Sequence, residues 1–216
     1  MGNKSLIALF VGALLPTVAM AESVDLNVIG TIIPTSCIPA FAGGSTVDLR
    51  KISAATLSAT TQTVLPARDI SLYINCDAPA PVEVSVRDNR APTKLPGIHD
   101  GAGQNDPALF FGLGEINGMR IGGFALRQGV PEVDGAPQTL LTRTLANPTW
   151  QLPTSSLVRN APALYSWGPN VATGPASARH HGFPMSLLPI IGPSNALPIN
   201  DEIPLDGSVT FDMFYL

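Results

Sequence analysis

Proline and glycine recur every few residues along this 216-residue chain, and they disfavour long helices. The chain contains 21 prolines and 20 glycines. Proline lacks a backbone donor and clashes with the preceding turn of a helix, while glycine weakens regular elements through its conformational freedom. Residues 91–204 contain 15 of the prolines and 14 of the glycines, so strands there should be short and separated by long ordered loops. The sequence therefore predicts an all-β chain.

Alternation of apolar and polar residues locates the strands. Residues 69–76 alternate cleanly, as expected for a half-buried antiparallel strand, and residues 82–86 repeat the pattern. The intervening residues 77–81 contain two prolines and predict a turn, so the two strands are expected to form a hairpin. Further strands are predicted at 24–28, 31–33, 46–49, 108–113, 119–128, 140–143, 164–167, 185–191 and 208–216. This number of strands suits a two-sheet β-sandwich.

The final strand has an apolar face of its own. Its inward-facing residues are Val209, Phe211, Met213 and Tyr215. Unpaired N–H and C=O groups beside an apolar face invite pairing with another chain, so this edge is expected to carry the function. Phe214 is apolar on the opposite face, which should be wet, and we expect a loop to cover it.

The pattern of the amino-terminal residues predicts an export signal. Lys4 precedes the apolar run 6–15, and Ala19-Met20-Ala21 matches the small residues that a signal peptidase requires. Cleavage after Ala21 leaves 216 − 21 = 195 residues, 22–216, which we expect to form one domain. No later apolar run is long enough to predict a membrane anchor. The formal charge of −4 makes nucleic acid an improbable partner.

The two cysteines, Cys37 and Cys76, favour one disulfide. An exported chain enters an oxidising compartment, where an even number of cysteines is typical of disulfide bonds. Closing a loop of about 40 residues stabilises a fold by about 4 kcal/mol in the chain-entropy model. The alternative is a pair of buried thiols. Zinc is a poorer alternative, because the two residues lack the close spacing of a structural metal site.

Few residues suggest catalysis, and we predict no enzyme, cofactor or metal. His180 and His181 are adjacent, so on an extended segment their side chains point opposite ways and cannot easily share a metal ion. His99 and Asp100 lie in a glycine-rich stretch typical of a solvated turn. No nucleophile elbow, HExxH motif or phosphate-binding fingerprint is present.

Three aromatic residues could instead recognise a carbohydrate. Trp150, Tyr165 and Trp167 would form a platform on which a host or surface glycan stacks. The other interpretation, which we favour, is that these rings cap the core of the sandwich.

The order of these features resembles chaperone–usher pilus subunits, and most closely an uncharacterised family of proteobacterial fimbrial-like proteins. The segments that carry the resemblance are residues 68–76, 84–91, 111–114 and 201–208, together with the terminal strand. The resemblance implies an immunoglobulin-like sandwich that lacks its seventh strand, so that a groove along the last strand exposes the core. It also implies a location in the periplasm and then in a cell-surface fimbria.

The resemblance further implies which partners fill the groove. A periplasmic chaperone lends a strand, an usher follows, and in the fibre the amino-terminal extension of a neighbouring subunit replaces the chaperone. Basic residues of the chaperone would hold the carboxylate of Leu216. Only Glu22 and Ser23 precede the strand predicted at Val24, too little for a donor, so a tip or minor subunit is expected. The alternative is a self-complete periplasmic or secreted sandwich that binds carbohydrate or protein through loops in 91–204.

Overall fold

The computed structural model describes residues 22, 24–32 and 35–216. The chain divides into two units, Met1–Ile33 and Pro34–Leu216. The predicted signal peptide, residues 1–21, lies outside the described residues. Across the described ranges, no helix combines the length and the apolar character needed to cross a membrane.

The first unit corrects the predicted first strand. Residues 24–32 form neither helix nor strand, and the predicted strands at 24–28 and 31–33 are wrong as far as their residues are described. Val24, Leu26, Val28 and Ile32 are each at least 88% exposed. An alternating segment becomes a strand only when a partner strand pairs with it, and no described residue pairs with this segment. The first paired strand begins at Cys37.

The second unit is a β-sandwich. Its described strands are β1 Cys37–Phe41, β2 Thr63–Val64, β3 Arg68–Ala80, β4 Val82–Asp88, β5 Phe110–Gly112, β6 Glu115–Ile116, β7 Met119–Arg120, β8 Gly122–Gln128, β9 Glu132–Val133, β10 Ala136–Pro137, β11 Thr139–Thr144, β12 Ala163–Gly168, β13 Ala178–Ile191 and β14 Val209–Tyr215. Short 3₁₀ turns lie at Ala54–Thr56, Ala91–Thr93, Pro107–Leu109 and Ser194–Ala196. The prediction of an all-β fold is confirmed, although residues 46–49 form no strand.

Two antiparallel sheets enclose the core. The first has the order β1-β3-β13-β8-β5, with β2, β9 and β10 attached, and the second has the order β11-β12-β4-β14. β6 and β7 pair separately. The largest fully buried side chains include Ile74, Phe111, Leu126, Leu141, Trp167 and Phe183. The strands β14 and β11 therefore form the two edges of the second sheet.

The predicted hairpin of β3 and β4 is wrong. β3 pairs with β1 and β13 in the first sheet, whereas β4 pairs with β12 and β14 in the second. Pro81 separates the two strands and has no N–H to continue a ladder, and the chain passes from one sheet to the other there. Residues 82–86 are all buried, which is the environment of a central strand rather than of a hairpin with one wet face.

The predicted disulfide is confirmed. Cys37 and Cys76 are directly opposite each other in the pairing of β1 with β3, and their sulfur atoms are bonded. Both residues are buried against the main core. The bond therefore holds the edge strand of the first sheet to its neighbour.

Candidate strand-addition groove

The last strand, β14, lies at the edge of the second sheet. It pairs with β4 along its whole length, from Val209 opposite Asp88 to Tyr215 opposite Val82. Among the described residues, no strand pairs with its other side. The predicted edge is therefore present within the part of the chain that the structure describes.

Backbone hydrogen bonds at its two ends show which groups point outward. The N–H of Asn89 donates to the carbonyl oxygen of Ser208 at 3.0 Å, and the N–H of Leu216 donates to that of Pro81 at 3.2 Å. Both groups of one strand residue point to the same side, and successive residues alternate. The even-numbered residues therefore face β4. The backbone groups of the odd-numbered residues, Val209, Phe211, Met213 and Tyr215, point towards the open side.

The opposite wall belongs to the other sheet. β1 is the edge strand of the first sheet and pairs with β3 alone. The N–H of Cys37 donates to the hydroxyl oxygen of Tyr215 at 2.7 Å, and the rings of Phe41 and Phe211 meet edge to face with centroids 5.1 Å apart. We call the space along these two edges, between β1 and β14, the edge groove.

The apolar side chains of β14 lie along the edge groove. Val209, Phe211 and Met213 are partly buried and pack against the main core, as does Phe41 from the opposite wall. Tyr215 and Leu216 are about half exposed. Phe214 is 45% exposed, so the expectation that a loop covers it is wrong. An apolar ring on the outer face therefore lies next to the carboxyl-terminal end of β14.

Two segments that flank these edge strands in the sequence line a cavity of about 620 Å³. Residues 50–57, which follow β1, form one side, and residues 197–205, which precede β14, form the other. The buried side chains of Ile121 and Ile191 contribute to the lining, and an exposed ion pair joins Lys51 to Glu202 at 3.3 Å. Sequence reasoning missed this cavity, because the flanking segments are irregular. The apolar residues Ile199, Ile203 and Leu205 just before the last strand were the available signal.

The three aromatic candidates do not form one platform. Tyr165 and Trp167 are buried in the core, and only Trp150 is partly exposed, with the guanidinium of Arg143 5.0 Å from its ring centroid. The Tyr165 hydroxyl accepts a hydrogen bond from the N–H of Arg159 at 2.7 Å, and burial raises the pKa of this phenol. Rings buried in this way cannot offer a face to a sugar.

His99 and Asp100 belong to a turn, whereas His180 and His181 belong to β13. Asp100 accepts hydrogen bonds from the N–H groups of Ala102 and Gln104, and His99 accepts one from Gly101, as in a turn. His180 contacts Asn75 at the surface, whereas His181 is buried. Among the described residues, no group of three or more His, Cys, Asp or Glu side chains could hold a metal ion.

Comparison with known proteins gives two likenesses. A family model described as "Protein of unknown function (DUF1120)" matches residues 26–125. The chain is also similar to Protein GltF of Escherichia coli (strain K12), with 25% identity over 241 aligned residues that cover 97% of this chain and 94% of that protein. Neither description names an activity, a ligand or a partner.

Proposed function

We propose that this chain is a structural, adhesive subunit of a fimbria-type assembly, completed by a strand that another protein adds to the edge groove. The observation that carries the proposal is the geometry of β14, which combines a core-facing apolar face with a backbone edge that pairs with no described strand. Such an edge is a template for another chain. An immunoglobulin-like sandwich without its last strand has this geometry.

The edge groove provides both parts of a strand-addition site. Main-chain hydrogen bonds to the outward groups of β14 supply affinity, and pockets for alternate side chains supply specificity. Phe41, Phe211 and Met213 provide apolar contacts within the groove. On this proposal a periplasmic chaperone fills the groove first, an usher receives the complex, and a neighbouring subunit then replaces the chaperone. The protein is exported to the periplasm and ends in a surface fimbria.

The start of β1 removes the reason for expecting a tip or minor subunit. That expectation assumed a strand beginning at Val24, whereas the first paired strand begins at Cys37. Val24, Leu26 and Val28 carry exposed apolar side chains at alternate positions, and Ile29 and Ile32 are exposed as well. Nine extended residues span about 30 Å, more than the roughly 23 Å of a seven-residue strand. The proposed subunit therefore also donates residues 24–32 to the edge groove of a neighbour.

A peptide experiment tests the proposal. Peptides of residues 22–36 are added to the full mature chain, and binding is followed by calorimetry and by the hydrogen exchange of the Phe211, Met213 and Tyr215 amides. The natural peptide should slow the exchange of all three. The Leu26→Asp peptide places a charge on the apolar face and should bind at least about tenfold more weakly. The matched Asn27→Asp peptide places the same charge on the opposite face and should bind like the natural one.

The contrary outcome identifies the second candidate function. The Cys37–Tyr215 hydrogen bond and the Phe41–Phe211 contact already close part of the groove with the chain's own side chains, which favours a self-complete sandwich. Such a protein would bind carbohydrate or protein through loops in 91–204, with Trp150 as the partly exposed ring. A stable monomer whose β14 amides are unaffected by every peptide would reject strand addition and support this alternative.

A further inference from the structure

A buried histidine joins the two sheets through a tryptophan. The indole N–H of Trp167 in β12 donates to Nδ1 of His181 in β13 at 2.9 Å, and His181 is only 1% exposed. An indole can only donate, so Nδ1 carries no proton. The neutral ring therefore has its proton on Nε2, which lies 3.1 Å from the carbonyl oxygens of Ala80 and Ala178.

The carbonyl of Ala80 belongs to the corner where the chain passes between sheets. We call residues 80–82 the crossing corner. Its three successive carbonyl oxygens accept hydrogen bonds from His181, from the N–H of Leu216 at 3.2 Å and from the hydroxyl of Ser166 at 2.6 Å. Val82 in this corner is also the pairing partner of Tyr215. The histidine and the carboxyl-terminal end of β14 are thus held by consecutive peptide groups.

The charged groups around His181 come from three elements. Burial has the largest effect and lowers the pKa of His181. The hydrogen bonds to the carbonyls of Ala178 and Ala80 and the charge of Asp134 raise this pKa, and the charge of His180 lowers it slightly. β9, which pairs with this part of β13, also carries Glu132, whereas β12 contains no charged residue. β3 contributes Asp77 close to the crossing corner, and its carbonyl accepts a hydrogen bond from Arg179.

We propose that His181 is an acid-sensitive latch whose protonation releases the crossing corner and, with it, the terminal pairing of β14 at Tyr215 and Leu216. A proton on Nδ1 removes the acceptor that Trp167 needs and brings two N–H groups face to face. The charged ring therefore leaves this pocket for water, and the carbonyl of Ala80 loses its Nε2–H donor when the ring moves. The latch would make the edge groove easier to open in acid. Only that consequence depends on the proposed function, because the release itself is a property of the isolated chain.

The direction of the effect follows from linkage. Above the ordinary histidine pKa of about 6.5 the ring is neutral in both the closed and the open form, and the latch contributes fully. As the pH falls below that value, the open form binds a proton before the closed form does, because burial lowers the pKa of His181 in the closed form. The opening constant should therefore rise, at most about tenfold per pH unit, until the closed form also protonates.

Hydrogen exchange of the full mature chain tests the latch. The exchange rates are measured by NMR between pH 7.5 and 5.5 and divided by the intrinsic rates, which gives the equilibrium constant for opening at each amide. The opening constant at the Phe214 and Leu216 amides should rise by up to about tenfold in the natural chain. In His181→Gln, whose amide can still accept from Trp167 and donate to Ala80, it should change less than twofold. His180→Gln is the matched control, because it removes the exposed neighbour and should keep the natural pH dependence.

A second measurement needs no variant. The imidazole nitrogen shifts of His181 should show the Nε2–H form at pH 7.5 and should still show it where exchange begins to rise, because the closed form stays neutral after the open form has begun to bind protons. A charged or Nδ1–H ring at pH 7.5 overturns the proposal, as does exchange that is independent of pH in the natural chain or equally dependent in His181→Gln. No added strand is used, so these outcomes leave strand addition untouched, and failure of the peptide experiment leaves the latch untouched.

Discussion

The backbone N–H of Cys37 donates a hydrogen bond to the hydroxyl oxygen of Tyr215, 2.7 Å away, although the residues are 178 positions apart. Cys37 is also bonded through its sulfur to Cys76. The last strand of one sheet is therefore attached to an edge strand of the other sheet at the same residue that the disulfide fixes. This attachment closes one end of the edge groove.

Replacing Tyr215 with Phe should lower the free energy of unfolding by about 1 kcal/mol. The change removes the hydroxyl and leaves the partly buried N–H of Cys37 without its acceptor. Urea unfolding of the two proteins measures the difference. Tyr73→Phe is the control, because Tyr73 is an exposed residue of β3 whose hydroxyl bonds to no described residue, and its unfolding midpoint should not move. An equal decrease in the free energy of unfolding of both variants would show that the Tyr215 hydrogen bond does not stabilise the fold.

Removing the disulfide should lower the free energy of unfolding by about 2–5 kcal/mol. The bond closes a separation of 39 residues and holds the edge strand β1 to β3. The Cys37→Ala/Cys76→Ala double variant and the reduced natural chain should unfold at the same lower urea concentration. A reductant that leaves the natural midpoint unchanged would contradict the prediction, and the double variant itself serves as the control that should not respond to reductant.

Removing one partner of a buried ion pair on the second sheet should lower the free energy of unfolding. Arg143 donates through Nε and Nη2 to the two carboxylate oxygens of Glu83, each at 2.8 Å, and the side chains are only 18% and 6% exposed. Arg143→Met leaves the carboxylate buried and unpaired, and should cost about 3 kcal/mol. Glu83→Gln combined with Arg143→Met should cost less than Arg143→Met alone, since no charge is left buried.

The control for this pair is an exposed ion pair of the same kind. Arg87 lies 3.5 Å from Asp212, with side chains 59% and 39% exposed, so Arg87→Met should cost less than about 1 kcal/mol. Urea unfolding of the natural chain and the three variants gives the comparison. If Arg143→Met and Arg87→Met cost the same, burial does not strengthen the Glu83 pair.

Much of the local structure could be predicted from alternation and composition. The alternation at 69–76, 82–86 and in the last strand predicted β3, β4 and β14, because a strand with one face on the core needs apolar residues at every second position. The count of two cysteines, together with the predicted export signal, predicted the disulfide. The same alternation at 24–28 failed, because periodicity indicates that a segment can pair but not that a partner is present.

The candidate site was predictable in part. The residues Val209, Phe211, Met213 and Tyr215 follow from the pattern of the terminal strand alone. Their opposite wall, Phe41 and Cys37, does not, because no local signal states which distant strand faces them. The cavity beside residues 50–57 and 197–205 was missed because both segments are irregular and carry no periodic pattern.

The sequence alone therefore specifies an all-β chain, most strand positions, the disulfide and the apolar face of the last strand, since these depend on near neighbours or on cysteine count. Folding in three dimensions decides that β3 and β4 lie in different sheets, that residues 24–32 pair with no described strand, and that His181 meets Trp167 across the core. Those outcomes depend on which distant segments bury the most apolar surface together, and that quantity belongs to the packed chain rather than to any stretch of it.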